Sequence, residues 1–311
     1  MYNEEQKLQY LETIESESSR KYASNTLQRF EQAEESVGLD IAEWDVGKIY
    51  STIESMYIFD FGTMKQYLSI LSGYIKYVRS RGSNNRGDFI PKLDISCIDI
   101  SQNIRDIIIR SPFDLQNELR KAIDPSQGYY IVAAACFAWL GIDIRTMPLI
   151  KDTAVDFTLR EIVDANCDID IRGIDSAILG ILREYWETEE AIRWHHAACR
   201  VYPLNNGKFL HLMVGENSKK DIGPVKVRSI QMEFTSICKA YEKNTGEQSP
   251  LSYSNLLRSG GLYRIYQLEK SGVDVFSGKS DDILAKTYAA PGKTFDIRSL
   301  YRQYKRAFDL D

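Results

Sequence analysis

Residues 129–172 read YYIVAAACFAWLGIDIRTMPLIKDTAVDFTLREIVDANCDIDIR. The first twelve, Tyr129 to Leu140, are apolar nearly all round. Such a helix has no solvent face, so it belongs at the centre of a core. The apolar stretch, extended to Ile142, is too short for a bilayer, which needs about 20 residues. Two strand-like runs follow, Val155 to Val163 and Cys167 to Arg172. In the second, Ile169 and Ile171 alternate with Asp168, Asp170 and Arg172, the period of a half-buried strand. Asp164-Ala165-Asn166 supplies a turn between them. A buried helix followed by one small sheet predicts a mainly helical domain.

Further along, Asp175 precedes a helix with Ile178, Leu182 and Tyr185 on its apolar face. From Gln231 the pattern is mostly helical. It ends in an amphipathic segment, Ile297 to Phe308, striped by Arg298, Arg302 and Lys305. On the N-terminal side, the first eighty residues read as a small helical domain. Tyr22, Thr26, Phe30, Ala33 and Val37 recur at helical spacing, with Gly38 as a stop. A second stripe, Val46, Ile49, Tyr50, Ile53 and Met56, follows Asp45 as N-cap. A third helix is expected to start at the capping box Thr63-Met64-Lys65-Gln66. Its apolar face is Tyr67, Leu68, Leu71, Tyr74, Ile75 and Val78. Its polar face is Lys65, Ser69, Ser72 and Lys76. Ser80 to Asp88 is rich in Gly, Ser and Asn and carries Arg81 and Arg86 just after Arg79, the composition of a basic linker. The expected division is a helical domain over 1–80, a linker over 81–93 and a larger domain over 94–311.

Composition narrows the function classes. Hydrophobic residues make up 43% and charged residues 27%, ordinary for a globular chain. Cys97, Cys136, Cys167, Cys199 and Cys238 are scattered with no CxxC pair, which argues against a disulfide framework or zinc site. His195, His196 and His211 are too few for a metal cluster, and the His195-His196 pair reads as structural. No cofactor is expected. The N-terminal MYNEEQKLQY is acidic and lacks an apolar core, so neither a secretory signal nor a membrane partner is expected, and the compartment is the cytoplasm. The net charge is −5. It is uneven: Glu216 to Asp311 carries 16 basic and 12 acidic residues, the remainder 23 and 32. That asymmetry permits a basic face without requiring one.

The order of parts, and four short motifs, resemble phage integrases and other tyrosine recombinases. Leu140 to Asp156 keeps the frame of that family's T-G-L-R turn through Gly141, Ile142, Ile144, Met147 and Ile150, but Asp143 stands where the first catalytic arginine belongs. The hairpin between Phe157 and Arg172 should carry a lysine and has none; Arg160 is the only basic residue of its first strand. Asn255-Leu-Leu-Arg258 lies opposite H-x-x-R, with asparagine in place of histidine. Ser259 to Asp274 then has the family's small-residue turn and amphipathic helix. Lys279 replaces the second histidine, and Tyr288, nine residues later, fills the position of the nucleophile.

The resemblance implies a two-domain tyrosine recombinase-like fold: a helical core-binding (SAM-like) DNA-binding domain joined to a larger helical domain with a small β-sheet. It also implies double-stranded DNA as partner. Such enzymes attack a phosphodiester with a tyrosine whose free pKa is near 10 and neutralise the transition state with arginines, a lysine and histidines. An aspartate in place of an arginine reverses one term of about 3–4 kcal/mol at roughly 4–5 Å and an effective dielectric near 20. The loss is several decades of rate. Asp143, Asn255, Arg258, Lys279 and Tyr288 therefore read as vestigial positions, and no catalysis is expected.

The residues expected to meet DNA are Lys65, Gln66, Ser69, Lys76, Arg79, Arg81, Arg86, Arg258 and Lys279. Arg258 has a second reading, an internal salt bridge with Asp143. The Lys65 face has an ordinary solvated reading, and Tyr288 that of a plain core or surface tyrosine. Arg298, Arg302 and Lys305 read as a solvated face or as a contact with a second protomer or a partner regulatory protein. The whole chain is also similar to the lytic-cycle repressors of SPbeta-type Bacillus prophages. That likeness implies a repressor that maintains lysogeny from operator elements. An active divergent recombinase, an accessory factor for one, and a protein-interaction module are the alternatives.

Overall fold

The computed structural model describes residues 1–58, 61–81, 93–123, 130–187, 190–195, 198–203, 210, 225–287 and 294–310. The chain divides into two compact units, Met1–Ile104 and Arg105–Asp311. Among the described residues it is mainly helical, with one small three-stranded sheet and a separate hairpin.

The first unit holds α1 (Glu4–Glu12), α2 (Glu17–Gln28), α3 (Glu31–Val37), α4 (Val46–Glu54) and α5 (Phe61–Arg81). Asp45 caps α4 by accepting the Lys48 N–H at 2.8 Å, and Gly38 ends α3 at φ 72°. The stripe expected to run unbroken from Tyr22 to Val37 is interrupted at Arg29-Phe30. The residues it buries are Ala23, Thr26, Leu27, Phe30 and Glu34, while Tyr22 and Val37 are exposed. The cause is tertiary: Glu34 is drawn inward by Lys7 of α1, and both side chains are fully buried. Glu34 Oε1 also accepts the Ile41 N–H at 2.9 Å. Beside it, Asp40 accepts the Tyr74 hydroxyl at 2.8 Å and the Asn3 amide at 3.2 Å. One polar network thus joins α1, α3 and α5. The last of these begins at Phe61, so Thr63 lies inside its first turn instead of capping it. Met64, Tyr67, Leu68, Leu71, Tyr74 and Ile75 form its buried side. Of the expected linker, Arg81 closes α5, and 82–92, with Arg86, lie outside the described residues.

After α6 (Ser101–Ile107), the second unit is built on α7 (Pro112–Ala122), α8 (Tyr130–Leu140), α9 (Ser176–Trp186), α10 (Val227–Thr245), α11 (Tyr253–Lys270), α12 (Asp281–Thr287) and α13 (Thr294–Ala307). Every residue from Tyr130 to Trp139 is buried, as its composition demands. Asp175 caps α9 through the Ala177 N–H at 2.8 Å. The sheet is antiparallel, β1 (Val155–Asp156), β2 (Glu161–Asp164) and β3 (Ile169–Arg172), with Ile162 opposite both Val155 and Ile171. The run from Val155 to Val163, expected as one strand, is therefore a hairpin. Asp156 Oδ1 accepts the N–H groups of Thr158 and Leu159, each at 2.8 Å, and Arg160 takes φ 58°. Local capture of backbone donors by an Asp side chain competes with strand extension. A second hairpin, β4 (Glu190–His195) with β5 (Ala198–Pro203), had no counterpart in the sequence reading.

Ser259-Gly260-Gly261, expected as a turn, sits in the middle of α11. It is the point where α11 crosses α8: a Cβ on Gly260 would lie 1.8 Å from the Trp139 carbonyl oxygen. The C-terminal stripe is also placed differently. Ile297, Leu300, Tyr301, Tyr304 and Ala307 bury one side of α13 in its own unit. Arg298 donates to the carbonyls of Val275 at 3.0 Å and Ser277 at 2.6 Å and pairs with Asp281. Lys305 pairs with Glu269 at 3.1 Å, and Arg302 stacks over Phe276. These cations fasten the last helix to its own unit, where the sequence suggested a solvated or partner-facing stripe.

Candidate nucleic-acid interface

In α5, steps of four, three, four and three residues carry Lys65 to Ser69, Ser72, Lys76 and Arg79. At 3.6 residues per turn these fall on one face. Lys65, Ser69, Lys76 and Arg79 are exposed on it, and Gln66 is exposed at its flank. The stripe is polar because the opposite side is spent on the core, and it carries no acid. Arg79 also donates to the Ala42 carbonyl at 3.5 Å. Arg81 is exposed but lies off this stripe. Helical rotation sets it on the far side from the stripe, where it stacks 4.5 Å from the Tyr77 ring centre and donates to Gln9 Oε1 at 3.2 Å. Its planar guanidinium finds a partner within the unit because Tyr77 lies one turn before it.

The second unit offers a face that sequence reasoning did not single out. Arg228, Gln231, Met232, Thr235, Lys239 and Lys243 are exposed along α10. The signal was the recurrence of cations and uncharged polar groups at spacings of three and four. The apolar residues Ile230, Phe234, Ile237 and Tyr241 point the other way and are buried. At the buried edge of this helix, the Tyr241 hydroxyl donates to Glu118 at 2.6 Å. Burial, then that carboxylate, push its pKa up to about 12.

The recombinase-like positions are held by local bonds. Asn255 and Arg258 stand one turn apart at the start of α11, and Arg258 donates to Asn255 Oδ1 at 2.9 Å. Asp143 is exposed and accepts the Arg145 N–H at 2.8 Å. No ion pair joins Asp143 to Arg258 among the described residues, so the internal salt bridge drawn from the sequence is not formed. Each group found a nearer partner, within two or three residues, that needs no loop closure. The loop after α8 meets α11 through Tyr253, whose hydroxyl oxygen accepts the Ile144 N–H at 3.2 Å. Burial raises the Tyr253 pKa, and Asp143 adds to the rise. Arg160, the only basic residue of the first strand expected in that hairpin, donates twice to the Ile174 carbonyl, at 2.8 and 2.6 Å. Lys279 is exposed in the turn before α12. Tyr288 lies outside the described residues.

A cleft of about 560 Å³ opens between this loop, β3 and the end of α12. Its charged lining is Asp143, Asp168, Asp170, Arg172, Arg264 and Lys286. Arg264 donates to the carbonyls of Trp139 and Thr287, and Arg172 pairs with Asp170 and Glu161. The cleft is therefore mixed in charge, with two of its three cations already engaged. A site that clamps a phosphodiester needs converging, available donors. Among the described residues no group of three or more His, Cys, Asp or Glu could hold a metal ion, and no helix is long and apolar enough to cross a membrane.

Residues 1–80 match a family model described as MrpR, N-terminal core-binding domain. No curated protein matches the chain. The matched span covers α1 to α5 up to Ser80 and so includes the whole polar stripe. The match supports kinship with recombinase-like proteins for the part of the chain that carries the stripe.

Proposed function

We propose that this chain is a double-stranded DNA-binding regulator of recombinase descent, which holds specific duplex elements without cutting them and acts as a repressor that maintains prophage lysogeny. The observation that carries the proposal is the acid-free stripe of α5, lying within a segment that matches a core-binding domain. Phosphate contacts from lysine and arginine give affinity, and uncharged donors between them give a duplex something to be read by. The exposed cations Arg228, Lys239 and Lys243 of α10 offer a second basic surface on the other unit, one that also carries the exposed Glu242. DNA in the host cytoplasm is the partner; a second copy of the chain would have to use faces of α13 other than the one buried in its own unit.

The absence of cleavage is part of the proposal. Asp143, Asn255 and Lys279 replace three groups that would stabilise the transition state or move protons, and Arg160 is committed to a backbone carbonyl. The test is recovery of fragmented genomic DNA by the purified chain at about 0.1 and 0.2 M salt, since non-specific binding falls steeply over that range. A few recurring short elements, enriched more at the higher salt, are expected. Uniform recovery that vanishes at the higher salt would overturn the regulator reading. A covalent adduct on nicked suicide duplexes, lost in Tyr288→Phe, would overturn the non-cleaving part.

A further inference from the structure

Hydrogen bonding divides the α5 stripe into two kinds of group. Ser69 and Ser72 lie in its middle, and Gln66, one residue after Lys65, flanks it about 100° round the helix; none of the three has a side-chain hydrogen-bond partner among the described residues, and Gln66 and Ser69 are exposed. Several helical hydroxyls elsewhere bond back to a carbonyl three or four residues earlier, as do those of Ser36, Ser51, Thr52, Ser55, Ser80, Thr235, Ser236 and Thr245, while those of Ser69 and Ser72 do not. Lys65 stands at one end of the stripe, and Lys76 and Arg79 at the other. The rise from Lys65 to Lys76 is roughly 16 Å. A major groove is about 12 Å wide, so flexible cations at that separation reach phosphates on its two walls while the groups between them face base edges.

We propose that Gln66 and Ser69 are the specificity-determining residues of this chain, reading adjacent base pairs in a major groove, with Gln66 set for adenine. This rests on the DNA-binding reading above and goes beyond it by assigning roles within the stripe. A glutamine amide matches adenine because it offers one donor and one acceptor side by side, as adenine does at N7 and N6. Its amide is unspent and needs no internal bond broken to reach a base. Gln66 and Ser69 are neighbours at i and i+3, about 4.5 Å apart along the axis, close to the spacing of successive base pairs. Lys76 has no such directional match and supplies charge alone.

The experiment is selection from a random duplex library by the full chain and by Gln66→Ala, Ser69→Ala and Lys76→Ala. These side chains are exposed, so the variants fold. The wild type is expected to select elements with adenine fixed at one position. Gln66→Ala should lose about ten- to a hundredfold of discrimination at that base pair alone and keep its salt dependence. Ser69→Ala should relax a neighbouring position. Lys76→Ala should weaken all sequences alike and lower the salt slope by about 0.9. If Gln66→Ala and Ser69→Ala select the same elements as strongly as the wild type, the assignment of readers falls while DNA binding stands. A wild-type chain that selects nothing overturns both.

Discussion

Gly260 is where α11 comes closest to α8, and no larger residue fits. A Cβ there would meet the Trp139 carbonyl oxygen at 1.8 Å, a backbone atom that cannot turn aside. Gly260→Ala is expected to lower stability by about 3 kcal/mol or more, because the two helices must part to relieve the overlap. Gly180, exposed in α9 with nothing near its missing Cβ, is the internal control. Gly180→Ala is expected to stabilise by about 0.5–1 kcal/mol through helix propensity. Urea midpoints of the two variants should move in opposite directions; a neutral Gly260→Ala would show that the crossing is looser than drawn. Asp156 and Asp143 make a related point at the same scale. Each gives its carboxylate to backbone N–H groups two or three residues on, and Asp156 thereby turns back a segment that periodicity reads as one strand.

At the scale of elements, the first unit is fastened by a buried polar network as well as by its apolar core. Lys7 of α1 and Glu34 of α3 pair with no solvent exposure, and the raised pKa of Glu34 comes chiefly from burial, opposed by Lys7 and the Ile41 N–H. Lys7→Met leaves an uncompensated buried carboxylate and is expected to cost about 3–5 kcal/mol, with Lys7→Met/Glu34→Leu recovering much of it. The pH dependence has a definite sign. A carboxyl whose pKa is higher folded than unfolded holds its proton more tightly in the folded chain. Its contribution is then most favourable below the ordinary value of 4.5 and is lost as pH climbs through the raised folded value. Lys7→Met removes a lowering influence, so its stability should fall more steeply than the wild type's as pH rises above 4.5. Equal slopes of urea midpoint against pH would show that the pair is not coupled as the geometry implies. In the second unit α13 plays a comparable fastening role through Arg298 and Lys305, whose charges are used within the chain.

At the scale of the whole molecule, a net charge of −5 is compatible with a DNA-binding chain because the cations are gathered on particular helix faces. Several of the recombinase-like positions depart from the family's pattern together: a carboxylate in the loop after α8, no lysine in the hairpin from Phe157 to Arg172, an amide at the start of α11, and a lysine before α12. Restoring one of them should not restore chemistry. Asp143→Arg is expected to form no covalent adduct on suicide duplexes, since the groups that would move protons are still missing. An adduct from that single change would mean that Asp143 alone silences the site.

The sequence by itself determined that the chain is mainly helical, that Tyr130 to Trp139 lies at the centre of a core, that a small sheet follows it, and which face of α5 is polar. These follow from periodicity and composition, which act within one element and need no knowledge of its neighbours. Tertiary structure decided the rest. It turned the α2–α3 region so that Glu34 points inward, folded Val155 to Val163 back on itself, buried Gly260 in a helix crossing, and engaged Arg160 and Arg298 with backbone carbonyls. The physical reason is common to all of them. A charged or hydrogen-bonding side chain reaches whichever partner folding brings within a few ångströms, and that partner is set by packing between elements, which no linear spacing records.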